Sequence, residues 1–161
     1  MYQRSHQYRS RGGSTASRAT RRRTLLSLLY LDTSALVKLI RREPESLALA
    51  DWLDAKAPAP WVSSSLVEVE LPRALRRTSA ALLVDVPAII ARIARYEIDE
   101  LVRSTAAFYP DPALGSLEAI HLATARTVFG SQLTAFVSYD ERLLSMAQAF
   151  NLPTQSPGRT R

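Results

Sequence analysis

The 161-residue chain contains no cysteine, so disulfides and thiolate metal centres are excluded, and a reducing, cytoplasmic setting is expected. No apolar run approaches the roughly 18–20 residues of a membrane-spanning helix, so no membrane role is expected. There is no internal repeat to suggest a solenoid. Acidic residues are missing from residues 1–23, which hold seven arginines. Outside that stretch 14 basic residues stand against 15 acidic ones, so the formal charge of +6 belongs to the N-terminus rather than to the domain.

The stretch "MYQRSHQYRSRGGSTASRATRRR" has almost nothing to bury, and residues 1–27 are expected to form a disordered basic extension. It can be read as an arm adding unspecific affinity for nucleic acid. Paired arginines before a short apolar run in "TRRRTLLSLLYL" also suggest an export signal. Asp32 and Lys38 interrupt that run, and the domain needs it as a strand, which favours a third reading, inert upstream sequence. The folded domain is then expected over 28–158, with 159–161 as a C-terminal tail.

Along that domain, Leu28–Leu31 read as a buried strand and residues 33–42 as a helix begun by an Asp/Thr/Ser cluster. Helices are expected over 44–57, 65–77 (despite Pro72), 85–95, 115–130 and through "ERLLSMAQAF". Strands are expected at 61–63, 97–102 and 133–140, and "LPTQSPG" reads as a short edge strand or tail. Strands alternate with helices, and two strands are apolar throughout. This predicts an α/β fold of three layers, α/β/α, around a mostly parallel sheet of about four to five strands.

The placement of the acids carries the chemistry. Asp32 ends the first strand and Asp140 ends "AFVSY", so both should reach one rim of the sheet, where parallel α/β folds form their sites. Glu70 in "LVEVEL" and Glu118 in "SLEAIHL" stand among apolar residues, where an unpaired charge is costly. Four carboxylates at one rim repel unless a cation joins them, and oxygen-only ligands suit Mg²⁺ or Mn²⁺. Such clusters cut phosphodiesters: the ion activates water and neutralises charge on the phosphate.

Each acid also has a plainer reading. Asp32 and Asp140 can be helix N-caps. Glu70 can pair with Arg73 three residues on, and Glu68 is expected to be solvated. Glu118 and His121 share a helix face, with His121 orienting a carboxylate. Thr33 and Ser34 are candidates for substrate or water contact as well as capping, and Arg73 for touching substrate or steadying Glu70. An aspartyl-phosphate enzyme is a competing class, but "DTSA" lacks the second Asp of a D-x-D motif.

Taken in order, "YLDTSALVKL", "SSSLVEVELPRALRR", "SLEAIHLATA" and "FVSYDERLLSMAQAFNLPTQSPG" resemble the four motifs of PIN-domain ribonucleases, and closely the VapC toxins of type II toxin–antitoxin pairs. The resemblance covers about residues 28–158. It implies a PIN domain acting as a Mg²⁺- or Mn²⁺-dependent endoribonuclease, with Asp32, Glu70, Glu118 and Asp140 as catalytic metal ligands. It further implies a cognate VapB-like antitoxin, an RNA substrate and a homodimer. The chain departs from the pattern where Glu118 replaces an aspartate, where Gly115 replaces a frequent arginine, and at Pro72, which is expected to bend its helix. The alternative consistent with Glu118 is an impaired scaffold that binds antitoxin or RNA without cutting.

Overall fold

The computed structural model describes residues 27–160; the basic stretch 1–26 and Arg161 lie outside the described residues. Five strands form one all-parallel sheet in the order β3-β2-β1-β4-β5: β1 (Leu28–Leu31), β2 (Trp61–Ser64), β3 (Ile93–Tyr96), β4 (Leu133–Val137) and β5 (Thr154–Gln155). Every side chain of β1 is buried because it is the central strand with both faces covered. Its period of two divides the core. Leu29 and Leu31, with Ala135 and Val137 of β4, face α1 (Thr33–Ile40), α2 (Ser46–Asp54) and α3 (Val67–Arg76) through Leu36, Leu49, Leu53, Leu71 and Leu75. Leu28 and Tyr30, with Phe136, face α6 (Ser116–Ala123) and α7 (Glu141–Ala149) through Leu122, Leu143 and Ala147. The expected three-layer α/β/α architecture is therefore observed.

The chain adds strands outward on one side of β1, then returns to start β4 on the other. The gap between β1 and β4 is the switch point of the sheet, and a crevice opens there beyond the strand ends. Asp32 follows β1 directly, and Ser138 to Asp140 follow β4.

Two elements differ from expectation. Residues 85–95 are not one helix: a 3₁₀ segment at Ala80–Asp85 leads into α4 (Val86–Ala91), and Ile93 already begins β3. Residues 97–102 are not a strand. Asp99 accepts a hydrogen bond from the Val102 amide (2.9 Å) and caps α5 (Glu100–Ala107), which packs on α6. In the edge strand β3 only Ile93 is buried, so the apolar signal of a strand is nearly absent there. Pro72 lies within α3 without ending it; the carbonyl its missing N–H leaves unpaired belongs to solvent-exposed Glu68. The helix from residue 116 continues beyond Ala123 as a π-helical turn to Gly130, whose φ of +41° ends it.

Candidate active site

The crevice is a cleft of about 520 Å³ at the switch point. Asp32, Thr33 and Ser34 form its floor. Glu70, Ala74 and Arg77 enter from one stripe of α3, Leu117, Glu118 and His121 from the start of α6, and Asp140 from the start of α7. All four predicted acids therefore face one cleft, although they lie up to 108 residues apart in sequence (Asp32 to Asp140).

Asp32 is buried, with 4% of its surface exposed. Its Oδ1 accepts from the Ala35 amide (3.1 Å) and the Ser34 hydroxyl (2.7 Å), and its Oδ2 from the Ser138 hydroxyl (3.0 Å). It does cap α1, so the plainer reading holds, yet a cap alone needs no burial. Burial pushes its carboxyl above the usual carboxylate range, opposed by His121 and by these three donors. Ser34 also accepts from the Tyr139 amide (2.7 Å), which ties the end of β4 to the start of α1. Asp140 caps α7 through its Oδ1 and the Leu143 amide (2.9 Å).

Glu70 does not pair with Arg73, which is exposed and is not among the cleft-lining residues. Its Oε2 instead meets His121 Nε2 at 2.8 Å and accepts from the Thr33 hydroxyl. His121 is buried, and its Nδ1 lies 2.8 Å from the Tyr30 hydroxyl, which accepts from the Ser64 amide (3.2 Å). Among the described contacts of the Tyr30 hydroxyl, Nδ1 is the one acceptor for its proton, so the hydroxyl donates to Nδ1, and Nε2–H then donates to Glu70. Burial would raise the Glu70 carboxyl; the His121 bond and the Thr33 hydroxyl outweigh it and hold the group below the usual range. Thr33 and Ser34 thus line the cleft and each donates to one of its acids.

Glu118 is half-buried, with its carboxyl folded back over Gly115 at the start of α6. On one side of each of Glu118 and Glu70 the apolar neighbour is exposed (Leu117 48%, Val69 58%), and on the other it is buried (Ala119, Leu71), so each acid stands at the border of the core. Glu68 is exposed, as expected, and pairs with Arg95. Sequence reasoning missed Tyr30, Ser138 and Arg77. The last stands seven residues after Glu70, two helical turns along the same stripe, and that spacing is its one local signal.

Among the described residues, no three His, Asp or Glu side chains close on a common point as a finished metal cage. The donor set is nevertheless one of oxygens. No described protein donor reaches Glu70 Oε1 or Asp140 Oδ2, which leaves both for a ligand. Mg²⁺ keeps several waters and uses few carboxylates directly, so acids spread around an open cleft fit it.

The PIN domain family pattern matches residues 29–149. The chain belongs to the PIN-domain family. It is 56% identical over 135 residues to Ribonuclease VapC35 of Mycobacterium tuberculosis, covering 83% of this chain and 100% of that protein. Ribonuclease VapC47 of the same species is 39% identical over 144 residues, covering 83% of this chain and 100% of that protein. Among solved structures, the fold is similar to Mycobacterium tuberculosis VapC20, described as a sarcin–ricin loop cleaving toxin, with a TM-score of 0.63 and 17% identity over 80% of this chain and 99% of that one. It is also similar to VapBC2 from Rickettsia felis bound to a promoter DNA fragment, with a TM-score of 0.62 and 13% identity over 81% and 98%.

Proposed function

We propose that the protein is the toxin of a type II pair, an endoribonuclease that uses Mg²⁺ or Mn²⁺ and is restrained by a cognate antitoxin. The observation that carries this reading is the buried Asp32 at the switch point, facing Glu70, Glu118 and Asp140 across one cleft. A divalent ion held by these carboxylates supplies charge neutralisation at the phosphate and activation of water. The protein's part is orientation. Three hydrogen bonds fix Asp32. Thr33 and His121 turn Glu70 so that both protein donors meet one oxygen, and the Leu143 amide does the same for Asp140. The antitoxin is supported by the likeness to a VapBC pair and by exposed Leu117 on the cleft wall, an apolar surface for a covering segment. We further propose that the toxin acts as a homodimer in the cytoplasm and that residues 28–158 form the catalytic unit. Cleavage of single-stranded RNA by the purified protein, abolished by EDTA and restored by Mn²⁺, tests the reading. Ion-independent cleavage, or none under any ion, would reject it.

The cations at the cleft differ in availability. Lys38 is tied to Glu43 and Glu45, and Arg41 to Glu43, whereas Arg77 is exposed and has no ion pair among the described residues. Arg77 is therefore assigned to the RNA phosphates. Arg77→Ala should raise KM about tenfold with kcat little changed and lower the salt slope of binding by about one. An unchanged KM and slope remove Arg77 from the substrate path.

Glu118 leads to a metal preference. Its carboxyl lies along its own helix start, and Mg²⁺ demands near-ideal octahedral geometry. The wild type should cleave faster with Mn²⁺ than with Mg²⁺, and Glu118→Asp should narrow the difference. Equal Mn²⁺/Mg²⁺ rate ratios in the two proteins would count against this.

A further inference from the structure

Gly115 precedes α6 as its N-cap with φ −67° and ψ 159°, an extended conformation open to any residue. Its backbone therefore does not call for glycine. A Cβ built there meets Glu118 before anything else: the three nearest heavy atoms are Oε2, inside van der Waals contact, Cδ at 3.1 Å and Oε1 at 3.3 Å. All three belong to one carboxyl group. The space left by the missing side chain of Gly115 is thus the space the Glu118 carboxyl uses. Glu118 is the third residue of the helix, where a negative charge faces the positive end of the helix dipole. It borders the cleft together with Asp140.

We infer that Gly115 is a positioning residue for the metal site: by lacking a Cβ it lets the long Glu118 side chain retract against the start of α6, so that its carboxyl bounds the cleft instead of crowding Asp140. The inference rests on the reading that Asp32, Glu70, Glu118 and Asp140 bind a divalent ion. Gly115→Ala pushes the carboxyl forward. The clash involves only the far end of a flexible side chain, so the fold has no reason to fail. The oxygen that falls inside contact distance, Oε2, has no counterpart one carbon shorter, so in Glu118→Asp the alanine should cost little further at the site.

The test is Mn²⁺ titration of the RNA-free, full-length protein, read by electron paramagnetic resonance of free Mn²⁺, with melting temperatures alongside. Five proteins are compared: wild type, Gly115→Ala, Glu118→Asp, the double variant and Asp32→Asn. Gly115→Ala should weaken Mn²⁺ binding about tenfold, the size seen when residues supporting metal ligands are altered. The double variant should bind like Glu118→Asp alone. Wild-type affinity in Gly115→Ala, or additive losses in the double variant, would overturn the inference while leaving the metal site standing. A fall in melting temperature with unchanged Mn²⁺ affinity would reduce Gly115 to a helix cap and overturn it too. If the wild type binds no more Mn²⁺ than Asp32→Asn, the metal reading itself falls, and the inference with it.

Discussion

Asp32→Asn is expected to lower RNA cleavage by on the order of 10³-fold or more while raising the melting temperature of the metal-free protein. The loss follows from removing the central anionic ligand, since several kcal/mol of charge stabilisation correspond to about three decades in rate. The gain follows from the linkage sign. Burial holds the Asp32 carboxyl above its usual range despite His121 and three hydrogen-bond donors. An acid whose pKa is raised on folding favours the folded state at low pH, and that contribution is lost as pH rises through the folded value. At neutral pH, where the unfolded carboxyl is ionised, this raised carboxyl therefore costs stability, and asparagine removes that cost. Its Oδ1 still accepts from the Ala35 amide and the Ser34 hydroxyl, and the Ser138 hydroxyl turns to accept from Nδ2. Each kcal/mol regained appears as about 2–4 °C in a chain of this size. Asp32→Ala should be equally inactive but less stable, since losing the N-cap costs about 1 kcal/mol. Near wild-type cleavage by the asparagine variant removes Asp32 from the site. A lower melting temperature shows instead that its hydrogen bonds outweigh its burial.

His121→Ala should cost about 2–4 kcal/mol of stability, from a cavity and from buried groups left without partners. Cleavage should also fall about 10- to 100-fold, the range for residues that orient metal ligands. The ring joins the Tyr30 hydroxyl and the Glu70 carboxylate, each at 2.8 Å, and nothing else in the described structure spans them. Without it burial acts on Glu70 with only Thr33 opposing, so the carboxyl rises and the acid limb of the pH–rate profile moves to higher pH. Tyr30→Phe separates the two effects. Tyr30 does not line the cleft, so losing its hydroxyl should lower stability through the orphaned Ser64 amide and His121 Nδ1, while Nε2–H keeps its bond to Glu70 and the pH profile stays nearly in place. Denaturant unfolding and pH–rate profiles of both variants check this. If His121→Ala keeps the wild-type acid limb, the ring does not control Glu70.

The sequence alone determined the strands around the switch point and the acids that end them. Apolar runs at 28–31 and 133–137 need cover on both faces, which only the centre of a parallel sheet provides, and an Asp placed after such a strand is carried to the rim by chain direction. Capping by Asp32 and Asp140 was legible for the same reason, because a cap joins residues three apart. The four motifs, in order, named the family. What tertiary structure decided are the pairings across long separations. Glu70 had a charged neighbour at Arg73 and ignored it for His121, 51 residues away, because helix α3 presents Glu70 to the cleft and Arg73 to solvent. Ser138 reaches Asp32 across 106 residues because β1 and β4 are adjacent, a fact that no local pattern carries. The edge strand β3 was hidden because an edge buries one side chain where a central strand buries four. The Glu118 carboxyl lies where it does because Gly115 leaves room, and that room exists only once the start of α6 has folded.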